Sequence, residues 1–146
     1  MQRGVDSYIN PWKPPADESS STSFATLVQL VKAYEPGQGG IDGGGFTVVK
    51  ESPSYLYCQF ESLKKGYIDD VEFASSPNGN AVFVRSASRV GVSDFGVNAI
   101  RLNSLAKGLR KRGWVIDEIT PESHRDYWMT SDDAREATFD ADRRVL

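Results

Sequence analysis

The segment RSASRVGVSDFGVN, from Arg85 to Asn98, holds the densest set of side chains that could do chemistry. It joins the end of a predicted strand to the start of a predicted helix. Free N–H groups at a helix N-terminus bind anions, and arginine and serine side chains add donors for a phosphate or a carboxylate. An anion site in this segment would use Arg85, Ser86, Ser88, Arg89, Ser93, Asp94 and Asn98.

The same segment has a structural interpretation, which we favour. Ser93 or Asp94 would cap the helix, and Gly91 and Gly96 would adopt positive φ. The polar groups would then be used in folding. The arginines would pair with carboxylates of the preceding strand, namely Asp69, Asp70 and Glu72.

These three acidic residues could also form a general acid/base pair or a cation site. Successive residues of a strand point to opposite faces, so Asp69 and Asp70 cannot converge. Asp70 and Glu72 share a face, and beside Arg85 they fit a cross-strand ion pair better than a catalytic pair. We therefore predict no catalytic residue and no metal site among them.

Other residue types narrow the chemistry further. His124 is the only histidine, which excludes a multi-histidine metal site, and Cys58 is the only cysteine and an expected core residue. The glycine-rich segment GQGGIDGGG, residues 37–45, lacks the Lys-Ser/Thr of a phosphate-binding Walker loop and is predicted to be a linker turn. The sequence thus predicts a protein that is not an enzyme and has no cofactor.

The composition predicts one folded domain. The chain has 146 residues, of which 39% are hydrophobic and 25% charged. Its net charge of −3 argues against nucleic acid as a partner, because phosphate neutralisation needs a basic surface. Its apolar stretches are far shorter than the roughly 20 residues that span a bilayer. We expect no transmembrane segment.

Two amphipathic helices are predicted to support the polar segment. The first has apolar residues at helical spacing from Phe24 to Tyr34, N-caps offered by Ser21 to Ser23, and a stop at Pro36. Gly113 is expected to end the second. Its apolar side is formed by Val97, Ile100, Leu102, Leu105, Ala106 and Leu109.

Segments rich in β-branched and aromatic residues predict an antiparallel meander. The fold class is therefore α+β, an antiparallel sheet of about five strands packed with two helices and flanked by extended arms. The candidate strands are Phe46 to Lys50, Tyr55 to Ser62, Tyr67 to Ala74, Ala81 to Arg85 and Trp114 to Ile119.

The dipeptide Asn78-Gly79 is a strong hairpin signal and predicts the register of two strands. If these two residues form the loop, the numbers of facing residues sum to about 157. One face then pairs Phe73 with Val84 and Val71 with Ser86. The other pairs Glu72 with Arg85 as a cross-strand ion pair.

Two flanking segments differ in composition from the predicted domain, residues 22–121. Residues 1–21 combine prolines with a serine run, and residues 122–146 form a polar tail. The apolar residues of the first arm would either pack on this domain or anchor in a neighbouring protein. The candidate partner-binding residues of the two arms are Tyr8, Ile9, Trp12, Tyr127 and Trp128.

The motifs YCQFES, GYIDDVEF and VFVRSASRVGVSDFGVN together resemble the family called domain of unknown function 1499, which occurs in bacteria and in photosynthetic organelles. The resemblance covers about residues 46–119. It implies a small α+β domain of unassigned activity. Bacterial members often carry a Cys- and Pro-rich N-terminal segment, where this chain has its Pro/Ser arm and glycine-rich linker.

Chloroplast members of the family imply a plastid location. We therefore expect a non-catalytic, peripheral subunit of a thylakoid photosynthetic membrane complex, with photosystem I as the first candidate. Its arms would contact other protein subunits. A transient assembly factor would use the same surfaces but leave the complex after biogenesis.

An alternative of another class is a soluble binder of, or enzyme on, a small anionic ligand at Arg85, Ser88 and Arg89. The surroundings of Arg85 and Arg89 distinguish these hypotheses. Burial of both in pairs with Asp70 and Glu72 would leave no anion site, whereas an open pocket beside the helix start would favour the binder.

Overall fold

The first helix begins earlier than predicted. A computed structural model of the chain describes residues 9–37, 40–63, 66–89 and 96–124. Helix α1 spans Ser20–Lys32, and its N-cap is Ser19, whose Oγ accepts a hydrogen bond of 3.2 Å from the backbone N–H of Thr22. The prediction that Ser21 to Ser23 cap the helix is wrong, because Ser19 is the serine with the extended backbone that capping requires. The boundary set at residue 21 for the first arm lies within α1.

Four strands form an antiparallel meander in the order β1-β2-β3-β4. A second helix, α2 at Val97–Arg110, follows them. Along β2 and β3, buried and partly exposed residues alternate, as expected for a sheet with one face in the core. The strands are β1 Gly45–Ser52, β2 Tyr55–Glu61, β3 Ile68–Ser75 and β4 Val82–Ser88.

The helices and one face of the sheet share a single hydrophobic core. Leu56 and Phe73 from the sheet lie in it with Leu27 of α1 and Leu102 of α2. Cys58 is buried there too, and burial raises the pKa of its thiol to about 11. The other side of the sheet, called the open face below, carries partly or fully exposed side chains.

The predicted register of β3 and β4 is confirmed. Phe73 faces Val84, Val71 faces Ser86, and Glu72 faces Arg85. The turn is longer than two residues. The backbone hydrogen bond that closes it joins Ser76 and Ala81, which leaves four residues, 77–80, in the loop. A four-residue loop centred on Asn78-Gly79 keeps the same sum of facing numbers, so the longer turn leaves the register unchanged.

The predicted fifth strand, Trp114 to Ile119, is wrong for the described residues. This segment makes one isolated antiparallel bridge, between Val115 and Lys13. Side chains of α2 bind its backbone instead: Asn103 bonds both the N–H and the C=O of Ile119 at 2.9 Å. The β-branched and aromatic residues of this segment are typical of a strand, but its backbone bonds a helix side chain where a neighbouring strand was expected.

The positive φ predicted for Gly96 is confirmed, Gly91 lies outside the described residues, and Gly113 ends α2 as predicted. The prediction that Ser93 or Asp94 caps α2 is wrong, because Gly96 is the N-cap. Gly96 occupies the N-cap position with φ of 79°, and Gly113 has φ of 92°. The N–H of Trp114 bonds the carbonyl of Leu109, and the N–H of Gly113 bonds that of Arg110. This pair of bonds is a Schellman motif, which ends the helix at the predicted glycine.

Residues 9–13 of the first arm pack on the domain itself. Trp12 is buried, its ring centroid lies 5.7 Å from that of Phe73, and its backbone pairs with Val82 of β4. Ile9 packs against the same core. Tyr8, Tyr127 and Trp128 lie outside the described residues. Within the described part, no helix is long and apolar enough to cross a membrane.

Candidate functional site

The polar site residues predicted on β3 and β4 lie on both sides of the sheet, because successive residues of a strand point to opposite faces. Asp69 and Ser86 are buried on the core side. Asp70, Glu72 and Arg85 point to the open face, where they are partly or fully exposed. The sequence cluster therefore forms two separate groups.

The buried group is organised by Arg101, a residue that sequence reasoning did not single out. Its side chain is fully buried in α2. Nε donates to Oδ2 of Asp42 at 2.8 Å and Nη2 to Oδ1 at 2.5 Å, a bidentate ion pair. Nη2 also donates to Oδ2 of Asp69 at 2.9 Å. One guanidinium thus joins the glycine-rich segment, β3 and α2.

Neutral groups complete the hydrogen bonding of these charges. Nη1 of Arg101 donates to Oδ1 of Asn98 at 2.7 Å, and the hydroxyl of Ser86 bonds the same amide oxygen. The hydroxyl of Tyr34 donates to Asp42 at 2.7 Å. The guanidinium lies over the ring of Phe60, 4.5 Å from its centroid. We call this set the buried arginine centre: Tyr34, Asp42, Phe60, Asp69, Ser86, Asn98 and Arg101.

The electrostatics of the buried arginine centre favour a permanent charge on Arg101. Burial lowers its pKa, but the hydrogen bonds and the charge of Asp42 outweigh that effect, so the pKa lies above its ordinary value. Burial, together with the hydrogen bond to Asp42, raises the pKa of the Tyr34 phenol. At neutral pH Arg101 is therefore charged and the Tyr34 phenol is neutral. A charge held by partners from three segments of the chain favours one arrangement of those segments.

The glycine-rich segment is more than a linker turn. Asp42 is buried with φ of 56°, a left-handed conformation in which aspartate is one of the residues best tolerated. Ile41 beside it is also buried. Helical spacing was the signal that could have found Arg101, because it lies on the apolar side of α2 with Leu102, Leu105 and Leu109.

On the open face, two parallel hydrogen-bonded chains cross the sheet. In the first, the hydroxyl of Tyr57 donates to Asp70, which accepts two bonds from Arg89, Nε at 2.8 Å and Nη2 at 3.0 Å. The hydrogen bonds from Arg89 are the largest cause of the lowered pKa of the Asp70 carboxyl; Tyr57 adds to them, and burial partly opposes them.

The second chain repeats this chemistry two residues away on β2 and β3. The hydroxyl of Tyr55 donates to Glu72 at 2.5 Å, and Arg85 donates to the other oxygen of Glu72 at 3.1 Å. The bond to Glu72 is the main reason that the pKa of Tyr55 rises to about 12. The predicted pairing of Arg85 and Arg89 with β3 carboxylates is confirmed, and Asp69 pairs instead with Arg101.

Arg85 and Arg89 are neither buried in ion pairs, as the structural hypothesis required, nor beside a described open pocket, as the anion-binding hypothesis required. Both are ion-paired, as expected for a structural role, yet both remain on the surface.

A surface cavity of about 230 Å³ lies away from these arginines, lined by Asn10, Pro11, Lys13, Val115 and Asp117. Ser88 bonds Asn98 and so belongs beside the buried arginine centre. Ser93 and Asp94 lie outside the described residues, and no metal-binding group occurs within the described ranges.

Asp70 makes stability depend on pH. Its folded-state pKa lies below the unfolded value of about 3.9, so its stabilisation is complete above about pH 4 and is lost as pH falls through the folded-state pKa. We expect Asp70→Asn to lower the free energy of unfolding at pH 7 by about 0.5–1 kcal/mol. Urea denaturation from pH 7 to pH 3 should show this difference shrinking below about pH 4. Asp17→Asn, the same substitution at an exposed residue, serves as the control.

Comparison with known proteins places the chain in one family. The family described as Protein of unknown function (DUF1499) matches residues 2–109. The match starts well before the predicted limit of 46, so it includes the Pro/Ser segment and α1, and it ends within α2. No curated protein and no solved structure matches the chain. Since the match covers most of the sequence and agrees with the resemblance in its motifs, the chain belongs to the DUF1499 family.

Proposed function

We propose that this chain is a non-catalytic binding subunit that attaches to other proteins. One observation carries the proposal: the charged residues of the polar cluster that the structure describes are engaged in ion pairs within the chain. Asp69 pairs with Arg101, Asp70 with Arg89, and Glu72 with Arg85. Groups held in this way are poorly placed to transform a substrate.

The open face supports attachment through a preorganised surface. Tyrosine and arginine are the residue types that interfaces use most for affinity. Here Tyr55, Tyr57, Arg85 and Arg89 are already fixed by hydrogen bonds to two carboxylates. Binding through side chains that are ordered beforehand costs less conformational entropy than ordering free ones.

The setting that we propose is a thylakoid membrane. The chain would be a peripheral subunit of a photosynthetic complex, and photosystem I is the first complex to test. This part of the proposal is supported by the chloroplast members of the family that the sequence resembles. The arms would add contacts through Tyr8, Tyr127 and Trp128, whereas Trp12 is buried in its own domain and Ile9 packs against the same core.

Gentle detergent extraction of thylakoids, followed by gradient separation and quantitative mass spectrometry, tests this function. We expect the protein to comigrate with one complex in a constant ratio to its subunits. A strongly substoichiometric ratio in mature complexes would favour the assembly factor. Recovery in soluble fractions alone, even at low salt, would contradict both.

Cross-linking of native complexes tests which surfaces attach. We expect cross-links to another subunit from Lys50, which lies on the open face, and, with a carboxyl-reactive linker because these segments contain no lysine, from residues 1–8 or 125–146. Lys107 on the exposed side of α2 serves as the internal control and should give fewer. Cross-links concentrated at Lys107 would contradict attachment through the sheet.

A further inference from the structure

The strand registers arrange the open face in rows that run across the sheet. Two neighbouring rows matter here. The first contains Ser52, Tyr55, Ala74 and Phe83, and the second contains Lys50, Tyr57, Glu72 and Arg85. Arg89 comes four residues after Arg85, directly after the end of β4, a separation of about 13 Å in an extended chain.

On the open face, the arginine side chains are more exposed than the carboxylates that they pair with. The side chain of Arg85 is 74% exposed, whereas that of its partner Glu72 is 32% exposed. Arg89 is 48% exposed and Asp70 26%. The guanidinium groups therefore stand above the carboxylates that hold them. A molecule approaching this face meets cationic donors first, although the chain as a whole carries a net charge of −3.

The row next to that of Arg85 places a small side chain between two aromatic residues. In the first row, Ala74 separates two large aromatic residues, Tyr55 and Phe83. These lie two strand spacings apart, about 10 Å, which leaves room above the alanine methyl for one inserted side chain. The ring of Phe83 is exposed on this face. This row thus offers apolar contact beside a cation.

We propose that the open face binds an acidic segment of a partner protein, with an apolar side chain of that segment over Ala74 and its carboxylates on Arg85 and Arg89. This proposal rests on the proposed function and specifies the chemistry of the partner. The remaining donors of each arginine can hold a carboxylate in the plane of the guanidinium. The tyrosine hydroxyls and the partly exposed carboxylates keep both arginines in place.

An acidic protein fits this face better than a lipid surface or a nucleic acid. Binding to those polyanions depends on excess positive charge over a broad area. Here Asp70 and Glu72 neutralise the two arginines at close range, so long-range attraction is weak. Short-range carboxylate contacts and one apolar anchor remain effective under the same conditions.

Nuclear magnetic resonance titration of the ¹⁵N-labelled full chain tests the proposal. The probe is an acetylated, amidated peptide with one leucine between two runs of three glutamates. We expect shift changes confined to outward residues of β2, β3 and β4. The double variant Arg85→Glu/Arg89→Glu should weaken binding at least tenfold, and Phe83→Ser at least threefold. Lys107→Glu, with a charge reversal on α2, should stay within twofold.

Three outcomes would overturn the proposal. One is the absence of shift changes on the open face with millimolar peptide. Another is equal affinity for the same peptide with serine in place of leucine. The third is equal, Arg85-dependent binding of anionic phosphatidylglycerol vesicles or duplex DNA. If the chain still comigrates with a thylakoid complex in any of these cases, the proposed function stands and only the partner chemistry fails.

Discussion

Replacing Arg101 with methionine is expected to lower the free energy of unfolding by about 3–5 kcal/mol, because two carboxylates would remain buried without their cation. Asp42 and Asp69 receive all of their described ion pairs from this one guanidinium. A small domain has only about 5–15 kcal/mol of stability, so the variant would be close to unfolding at 25 °C. Urea denaturation followed by circular dichroism measures the loss.

Two further variants separate an unpaired buried charge from a simple packing defect. Arg85→Met removes an exposed, ion-paired arginine and should cost at most about 1 kcal/mol. The triple variant Arg101→Met/Asp42→Asn/Asp69→Asn removes all three charges and should be more stable than Arg101→Met alone. Equal stability of the single and triple variants would show that charge is not the cause.

The parts of the fold that sequence predicted are those set by local rules. Strand alternation alone separated Asp69 from Asp70, and the structure places them on opposite faces. The register of β3 and β4 followed from the symmetry of the turn about Asn78-Gly79, which holds for a two-residue and a four-residue loop alike. The pairing of Arg85 with Glu72 followed from that register.

The parts that sequence missed depend on contacts between distant segments. Asp42 and Arg101 are 59 residues apart, and nothing local to either predicts their bond. The glycine-rich composition around Asp42 indicates flexibility, yet one buried ion pair overrides it. The predicted fifth strand failed for the same reason, since Asn103 in α2 binds the backbone of Ile119 where a neighbouring strand was expected.

The buried arginine centre and the open face are connected through β3. Asp69 binds Arg101 on the core side, and its neighbour Asp70 binds Arg89 on the open face. The buried pair of Asp69 with Arg101 therefore fixes the backbone of β3, and this backbone positions the pair of Asp70 with Arg89 on the open face. A binding surface on a flat sheet needs such support, because its affinity depends on side chains held in place before the partner arrives.

Replacing Trp12 with alanine is expected to cost about 3–5 kcal/mol, the loss typical of emptying a large aromatic site in a core. The ring packs against Phe73, and the backbone of Trp12 bonds both the N–H and the C=O of Val82. The measurement is urea denaturation followed by circular dichroism, which does not depend on tryptophan fluorescence. Val115→Ala, an exposed apolar residue nearby in the fold, should change stability by less than about 0.5 kcal/mol.

The stability of the Trp12→Ala variant shows whether residues 9–13 complete this domain or remain available to bind a neighbouring protein. A large loss means that residues 9–13 complete the domain by covering the end of β4, so that only residues before Ile9 are available to a neighbouring protein. A loss below about 1 kcal/mol would contradict burial of the ring in this core. Trp12 would then return to the candidate partner contacts, and attachment through the arm would become a competitor of attachment through the open face.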